Sequence, residues 1–383
     1  MANVAFVYSD DFLGYQFNRT HPLKQVRLQM NYRLLEAFSV FTDGTCDLVQ
    51  PIPATDSDLL TVHTPAYVNA LHDLSDGKPI LDRELYGFGV GDNPSFPGMY
   101  EATLLYVGAT KEAVKRIISG ESPRAFNSSG GLHHAMPSRA AGFCLANDCA
   151  LAAHWLRDAG HKVVYIDIDA HHGDGVQQIF YDDPSVLTIS LHETPLTLFP
   201  RVSGFVHEVG HGKGTGYNVN IPMLAGSTDS HYQFAFREIV NPLVQAFGAT
   251  AVVLQVGADG HFDDPLAHLS LSSHGWLDMV REVIGYGLPI VALGGGGYNL
   301  KTVARLWTLL VSELASQELS DVVPDHMAKE YNITHLHDCL PAGVTSIQID
   351  NSWRDLREVK QFIVDHVFPI HGLSVRPGGS TGC

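Results

Sequence analysis

Between Val163 and Phe180 the chain reads Val-Val-Tyr-Ile-Asp167-Ile-Asp169-Ala-His171-His172-Gly-Asp174-Gly-Val, then Gln-Gln-Ile-Phe. On a strand, side chains alternate faces, so Asp167, Asp169 and His171 can project to one side. Crowded in this way, two carboxylates and an imidazole repel one another unless a cation sits among them. A polar turn at a strand end is the plain alternative, but burying unpartnered carboxylates costs several kcal/mol. Asp169 and His171, joined by a distant Asp259, supply two carboxylates and one imidazole. Three protein ligands with a position left open are what a catalytic, water-activating metal needs. Zinc is the first choice, and iron(II), cobalt or manganese also suit mixed nitrogen and oxygen donors. Such a metal pulls the pKa of its water towards ~7.

Two further clusters fit the same chemistry. His133 and His134 stand together in the glycine-rich stretch Asn127-Ser-Ser-Gly-Gly-Leu-His133-His134. A neutral imidazole can take a proton from the attacking water and pass one to a leaving amine, worth roughly 10²–10⁴-fold in rate. Each needs an acceptor on its other nitrogen, and Asp167 and Asp174 are the candidates. Tyr298 follows four glycines, which let the backbone come close to a ligand. Its phenol could donate to a developing oxyanion. Taken singly, a histidine pair is more often structural, an aspartate after a strand is usually a helix cap, and a glycine run is usually a turn. The clusters carry weight jointly.

The elements around them must deliver them to one place. Apolar runs at 4–8, 163–168, 186–192, 251–256 and 289–293 read as strands. Helical spacing appears at 22–41, 100–119, 145–157, 229–247, 273–286 and 303–314. Thr64-Pro65 starts a short helix. Strands alternating with helices predict an α/β fold, a parallel sheet with helices on both faces. In such sheets the ligand lies beyond the carboxyl ends of the strands, where Asp167 to Asp174, Ser190-Leu191, Asp259 and Gly294 to Tyr298 all stand. The stretches 85–100, 125–143 and 194–216 read as loops. The first is long enough to be functional, and its aromatics predict order. After about Gln317 the signal weakens. This divides the chain into a catalytic domain over 1–316 and an extension over 317–383 packed on the same domain. The extension holds a helix near 356–367 and a loose tail from about 374.

The 383 residues, 45% hydrophobic and 17% charged, suffice for a sizeable core. A net charge of −17 argues against direct nucleic-acid binding and suits a cationic ligand, such as a lysine-bearing peptide or a polyamine. A solvated acidic surface that aids solubility is the plain reading of the same number. Five cysteines, an odd count without a Cys-x-x-Cys pair, fit a reducing compartment. With no apolar run of about 18 residues and no basic leader, the expectation is a cytoplasmic protein without a membrane partner.

Four separated motifs, His133-His134, Asp167-Ile-Asp169-Ala-His171-His172-Gly-Asp174-Gly-Val, Gly257-Ala-Asp259 and Gly-Gly-Gly-Gly-Tyr298, resemble in order those of the zinc-dependent histone deacetylases. The likeness runs from about Arg19 to Leu314. It includes the bacterial acetoin-utilisation deacetylases, which Phe96-Pro-Gly-Met-Tyr100 and the chain length resemble most. The resemblance implies the arginase/deacetylase fold with an eight-stranded parallel sheet. It implies zinc on Asp169, His171 and Asp259, the pairs His133–Asp167 and His134–Asp174, and Tyr298 polarising an acetyl carbonyl. It further implies a tunnel lined by Gly142, Phe143 and Phe199 with Leu266 nearby, Asp92 holding the substrate backbone at the rim, and Arg27 lining an inner cavity for acetate. A potassium ion would lie among Asp167, Asp169, His171, Ser190 and Leu191, largely on main-chain oxygens. A second monovalent site would lie near Phe180, Asp183, Val186 and Tyr217.

The expected reaction is hydrolysis of acetyl-lysine in peptides or proteins, with an acetylpolyamine as the alternative substrate. An arginase-like dinuclear site would need carboxylates where Gly173 and His261 stand. A non-enzymatic acyl-lysine scaffold is disfavoured by the retained Tyr298 and both His–Asp pairs. His261 departs from the family pattern; it could alter the rim, add a ligand or serve structure alone. The sequence leaves the oligomeric state open.

Overall fold

The computed structural model describes residues 2–89, 91–339 and 343–373. The expected tail from 374 lies outside the described residues. Eight strands form one sheet: β1 Val4–Val7, β2 Cys46–Val49, β3 Arg124–Asn127, β4 Val163–Asp167, β5 Val186–Glu193, β6 Asn218–Met223, β7 Ala251–Gln255 and β8 Ile290–Leu293. Their order is β2-β1-β3-β8-β7-β4-β5-β6, and every pair is parallel. Seven of the strands are buried over all or nearly all of their length because helices cover the sheet, as parallel sheets require; β2 is the exception. The helix Val26–Ala37 lies against Leu300–Ala315, and Met99–Ile118 lies against Asp148–Asp158.

The topology places the site. The last two strands, β7 and β8, are inserted between β3 and β4. Asn127 pairs in register with Leu293, Leu293 with Gln255, and Gln255 with Asp167. Four adjacent strands therefore end level at the middle of the sheet. The segments leaving them carry His133-His134, Gly294 to Tyr298, Asp259, and Asp169 to His171. This is the crevice where ligands of open α/β sheets bind.

Several expectations need correction. The strand β4 ends at Asp167, so Asp169 and His171 stand on the following turn, and strand alternation does not align them. The stretch from 125 opens as β3 instead of a loop. Helical spacing over 229–247 yields two α-segments, Asp229–Ala235 and Asn241–Phe247, joined by the π-turn Phe236–Val240. Pro242 explains the break, since it has no N–H to give a regular helix and the Asn241 N–H reaches back to Phe236 O. The C-terminal helix is longer than expected, Ser346–His366, with Thr345 capping it, and it lies against β6 and Asp229–Ala235. It thus packs against the last strand of the sheet.

Candidate active site

Asp169, His171 and Asp259 are all buried, and one donor atom from each lies within 4.8 Å of the others. Backbone and side-chain donors hold both carboxylates, and Asp169 Oδ1 itself accepts from His171 N at 2.9 Å. Gln255 Nε2 and Gly296 N donate to Asp169 Oδ2 at 2.7 and 2.8 Å, and Ala170 N donates to Asp259 Oδ1 at 2.8 Å. The other oxygens, Asp169 Oδ1 and Asp259 Oδ2, face His171 Nδ1 at 3.1 and 2.9 Å. A β-carbon on Gly296 would lie 2.0 Å from Asp259 Oδ2, so only glycine lets the loop after β8 close on this acid. Burial and the neighbouring Asp169 charge push the Asp259 carboxyl up to about 7. Burial opposes charge on His171, but Asp259 and Asp169 hold its pKa well above the usual imidazole value. One imidazole proton cannot satisfy two carboxylates, and the donor set of two hard oxygens and one nitrogen fits a divalent metal.

Two histidine–aspartate pairs stand beside the triad. His133 Nδ1 meets Asp167 Oδ2 at 2.7 Å, His134 Nδ1 meets Asp174 Oδ1 at 2.7 Å, and the two Nε2 atoms are 3.1 Å apart. Their environments drive them apart. Burial disfavours charge on both. For His133 the charges of Asp167 and Asp169 prevail, raising it to about 9, whereas burial and the neighbouring His133 lower His134. Tyr165 OH donates to Asp167 Oδ2 at 2.5 Å, which fixes that carboxylate further.

Tyr298 closes the other side. Its ring meets Phe143 edge-on at 5.8 Å and stands 6.3 Å from the His171 ring, and burial raises its phenol well above the usual range. Tyr298, Phe143, Gly142, His133, His134, Asp169 and His171 share one narrow slot of about 20 Å³. The Phe199 ring meets His134 edge-on at 4.9 Å. Leu266 is half-buried on the loop after Asp259. Asp92 is exposed, and its carbonyl accepts from the buried His21 Nε2 at 3.1 Å.

The remaining expected residues have partners of their own. The Arg27 guanidinium is buried and donates to the carbonyls of Gly297 (2.9 Å) and Gly295 (2.7 Å), its plane 5.1 Å from the Trp307 ring. It braces the glycine loop, and none of the described cavities is lined by it. His261 stands outside the triad: its Nε2 meets Asp338 at 2.9 Å and its Nδ1 accepts from Asp263 N, a structural role. Ser190 lies level with Asp167 on the neighbouring strand, with Leu191 next to it, but Ser190 Oγ is engaged by His192 Nδ1 at 2.8 Å. Near Phe180, Val186 and Tyr217, the Asp183 carboxylate is paired with Arg157 at 3.1 Å.

Sequence reasoning missed the residues that hold the machinery. Asp148, fully buried, accepts from Gly131 N and Leu132 N at 3.1 and 2.9 Å, just ahead of His133. Asn147 Nδ2 donates to the carbonyls of His133 and Ala135, each at 3.0 Å. Gln255 braces Asp169, and Asp264 accepts from Tyr298 N at 2.7 Å. Each is one ordinary polar residue, and nothing in its type or spacing marks it in the sequence.

An all-parallel sheet with a three-donor metal pocket, two His–Asp pairs and a facing tyrosine at its strand ends defines a class of metal-dependent amide hydrolase. A comparison with protein families matches residues 21–314 to the histone deacetylase domain. The chain is 39% identical to the acetoin utilization protein AcuC of Bacillus subtilis (strain 168), over 85% of each chain. It is 33% identical to histone deacetylase 2 of Oryza sativa subsp. japonica, over 97% of this chain and 73% of that one. A crystal structure of a histone deacetylase homologue from Aquifex aeolicus superimposes with a TM-score of 0.85 at 34% identity, covering 94% of this chain and all of the other. A homologue solved in complex with SAHA matches equally well. The protein belongs to the histone deacetylase family, and it is a hydrolase of the deacetylase type with the arginase/deacetylase fold.

Proposed function

We propose that the protein hydrolyses the acetyl amide on the ε-amine of lysine in peptides or proteins. The observation that carries this reading is one slot lined by Asp169, His171, His133, His134 and Tyr298, with Asp259 completing the triad and Asp167 and Asp174 holding the two histidines. Asp169, His171 and Asp259 would hold the ion, with zinc preferred and iron(II) or cobalt as alternatives; when bound, it supplies a Lewis acid and a water of lowered pKa. His134, kept neutral, accepts a proton from the attacking water, with Asp174 setting its tautomer. Tyr298 donates to the oxygen of the acetyl carbonyl as charge develops there. The histidine pair then returns a proton to the departing lysine amine, so the leaving group is neutral. Phe143 and Phe199 wall the approach, Leu266 and Asp92 contribute to its rim, and Arg27 holds the loop that carries Tyr298.

We also propose a structural potassium ion near Asp167, Asp169, His171, Ser190 and Leu191, supported by the level register of β4 and β5. Residues 317–373 are taken as an extension of the same folding unit, supported by the seating of Ser346–His366 on β6. A cytoplasmic location rests on the four free thiols Cys46, Cys144, Cys149 and Cys339 and on the bacterial relative. No helix among the described residues is long and apolar enough to cross a membrane.

The test is a metal-dependent rate screen over acetyl-lysine peptides, acetylpolyamines and longer acyl-lysines. The acidic charge makes the polyamine a serious competitor as substrate. The expected result is turnover of the acetyl-lysine peptide that chelation abolishes and divalent metal restores. Tyr298→Phe should lower kcat roughly 10²–10³-fold. Peptide rates that survive both chelation and Asp169→Ala would refute the reading.

A further inference from the structure

The loop after β7 and the loop after β8 are joined at Asp264. This aspartate is 8% exposed and comes five residues after Asp259. Its Oδ2 accepts from Tyr298 N at 2.7 Å, and its Oδ1 accepts from Leu266 N at 2.9 Å. A second tie runs parallel, from Asn299 Nδ2 to Asp263 O at 3.3 Å. Asn299 also caps the helix Leu300–Ala315 through Lys301 N and Thr302 N. Behind Tyr298, Arg27 grips the carbonyls of Gly295 and Gly297.

Four consecutive glycines give the segment before Tyr298 a wide choice of backbone angles, so the phenol is only as fixed as its anchors. A donor to a developing oxyanion has to be in place before the charge appears, since preorganisation is the source of its effect. Asp264 is an expensive anchor. It is a buried carboxylate in a neighbourhood that already holds Asp169 and Asp259, and its burial raises its pKa. The shape of the contact explains the choice. Two N–H groups from different loops approach the two oxygens, and only a group that accepts on both sides serves them together. An asparagine would turn an NH₂ towards one of them.

Resting on the hydrolase reading, we propose that Asp264 is a positioning residue that locks the Tyr298 phenol and the rim residue Leu266 into one unit. It touches neither substrate nor metal ligand and acts through Tyr298. Its loss should therefore appear in kcat, and only while the phenol is there to be displaced.

The experiment is a double-substitution cycle on the metal-loaded full chain with an acetyl-lysine peptide. Asp264→Asn should lower kcat by roughly 10–100-fold, the scale of a donor misplaced by an ångström, with KM within about threefold. In the Tyr298→Phe background the same change should cost less than about threefold more. Full additivity of the two losses would overturn the proposal. Asp264→Ser, which keeps one acceptor, serves if the asparagine variant fails to fold. An arm independent of turnover uses protein labelled with fluorotyrosine. The ¹⁹F resonance that disappears in Tyr298→Phe should shift or broaden in Asp264→Asn, and an unchanged resonance would overturn the proposal. Wild-type protein inert on every acyl substrate would count against the hydrolase reading alone, and the ¹⁹F result would still decide the role of Asp264.

Discussion

At the scale of single residues, the machinery rests on buried polar groups held in one protonation state. His63 shows how far this reaches. Its Nδ1 meets Met136 O at 3.1 Å, and its Nε2 accepts from Asn147 N at 2.9 Å. This is the neutral imidazole, with one donor and one acceptor. Asn147 in turn holds the carbonyls of His133 and Ala135. Burial lowers the His63 pKa from 6.5 to about 4. The unfolded chain therefore binds a proton that the folded chain refuses between those values. The contribution of His63 is complete above about pH 6.5 and is lost as the pH falls towards 4, amounting to about 3 kcal/mol. Urea midpoints measured from pH 7 down to pH 4.5 should fall more steeply for the wild type than for His63→Gln. Equal slopes would show that His63 is not held neutral. The residues that bear the chemistry were legible from type and spacing, since few uses exist for Asp-x-His with a distant Asp, a histidine pair and a tyrosine after four glycines. Asp148, Asn147, Gln255 and Asp264 were not legible. An isolated aspartate or glutamine has many uses, and theirs follow from what the fold brings within 3 Å.

At the scale of elements, the site depends on loops from different strands packing backbone to backbone. Gly131, between β3 and His133, has φ +84, and a β-carbon there would lie 2.4 Å from Gly295 N. Gly248 ends the helix Asn241–Phe247 at φ +68 with nothing within 4 Å of its would-be β-carbon. Both substitutions to alanine incur the left-handed backbone penalty of about 1 kcal/mol. Only Gly131→Ala adds overpacking of about 1–3 kcal/mol against a rigid neighbour. Denaturant unfolding should give a loss near 1 kcal/mol for Gly248→Ala and about 2–4 kcal/mol for Gly131→Ala, with lowered metal content in the latter. Equal losses would mean that the loop after β8 moves aside freely. The same packing explains which strands the sequence displayed. Strands β1, β4, β7 and β8 are rich in valine, isoleucine and leucine, with a polar residue only at the end of β4 and β7, and β5 opens Val-Leu-Thr-Ile, because both faces are covered. Strands β2 and β3 read Cys-Asp-Leu-Val and Arg-Ala-Phe-Asn, and polar residues in so short a stretch leave no apolar run to register. Strand β6 carries Asn218, Asn220 and Pro222; the two asparagines donate to Gln177 Oε1 at 2.8 Å, so buried polar side chains interrupt its apolar run and hid it as a strand.

At the scale of the whole molecule, the charge of −17 surrounds a pocket whose proposed product is a cationic amine. Lysine is neutral at its side chain once acetylated, so the acyl group itself gains nothing from this field. The attraction acts on whatever positive charge the substrate carries elsewhere, on flanking lysine and arginine or on the free amines of a polyamine. It works at encounter and is screened beyond about 10 Å at 0.1 M salt. Two peptides with the same acetyl-lysine, one flanked by basic residues and one neutral, separate this effect from the chemistry. Raising the salt from about 30 mM to about 300 mM should lower kcat/KM several-fold for the basic peptide and leave the neutral one nearly unchanged, because only the first is steered. The kcat values should not move for either, since the triad, the His–Asp pairs and Tyr298 lie buried where mobile ions screen little. An equal response from both peptides would assign the acidic surface to solubility alone and would leave substrate choice to the walls of the slot.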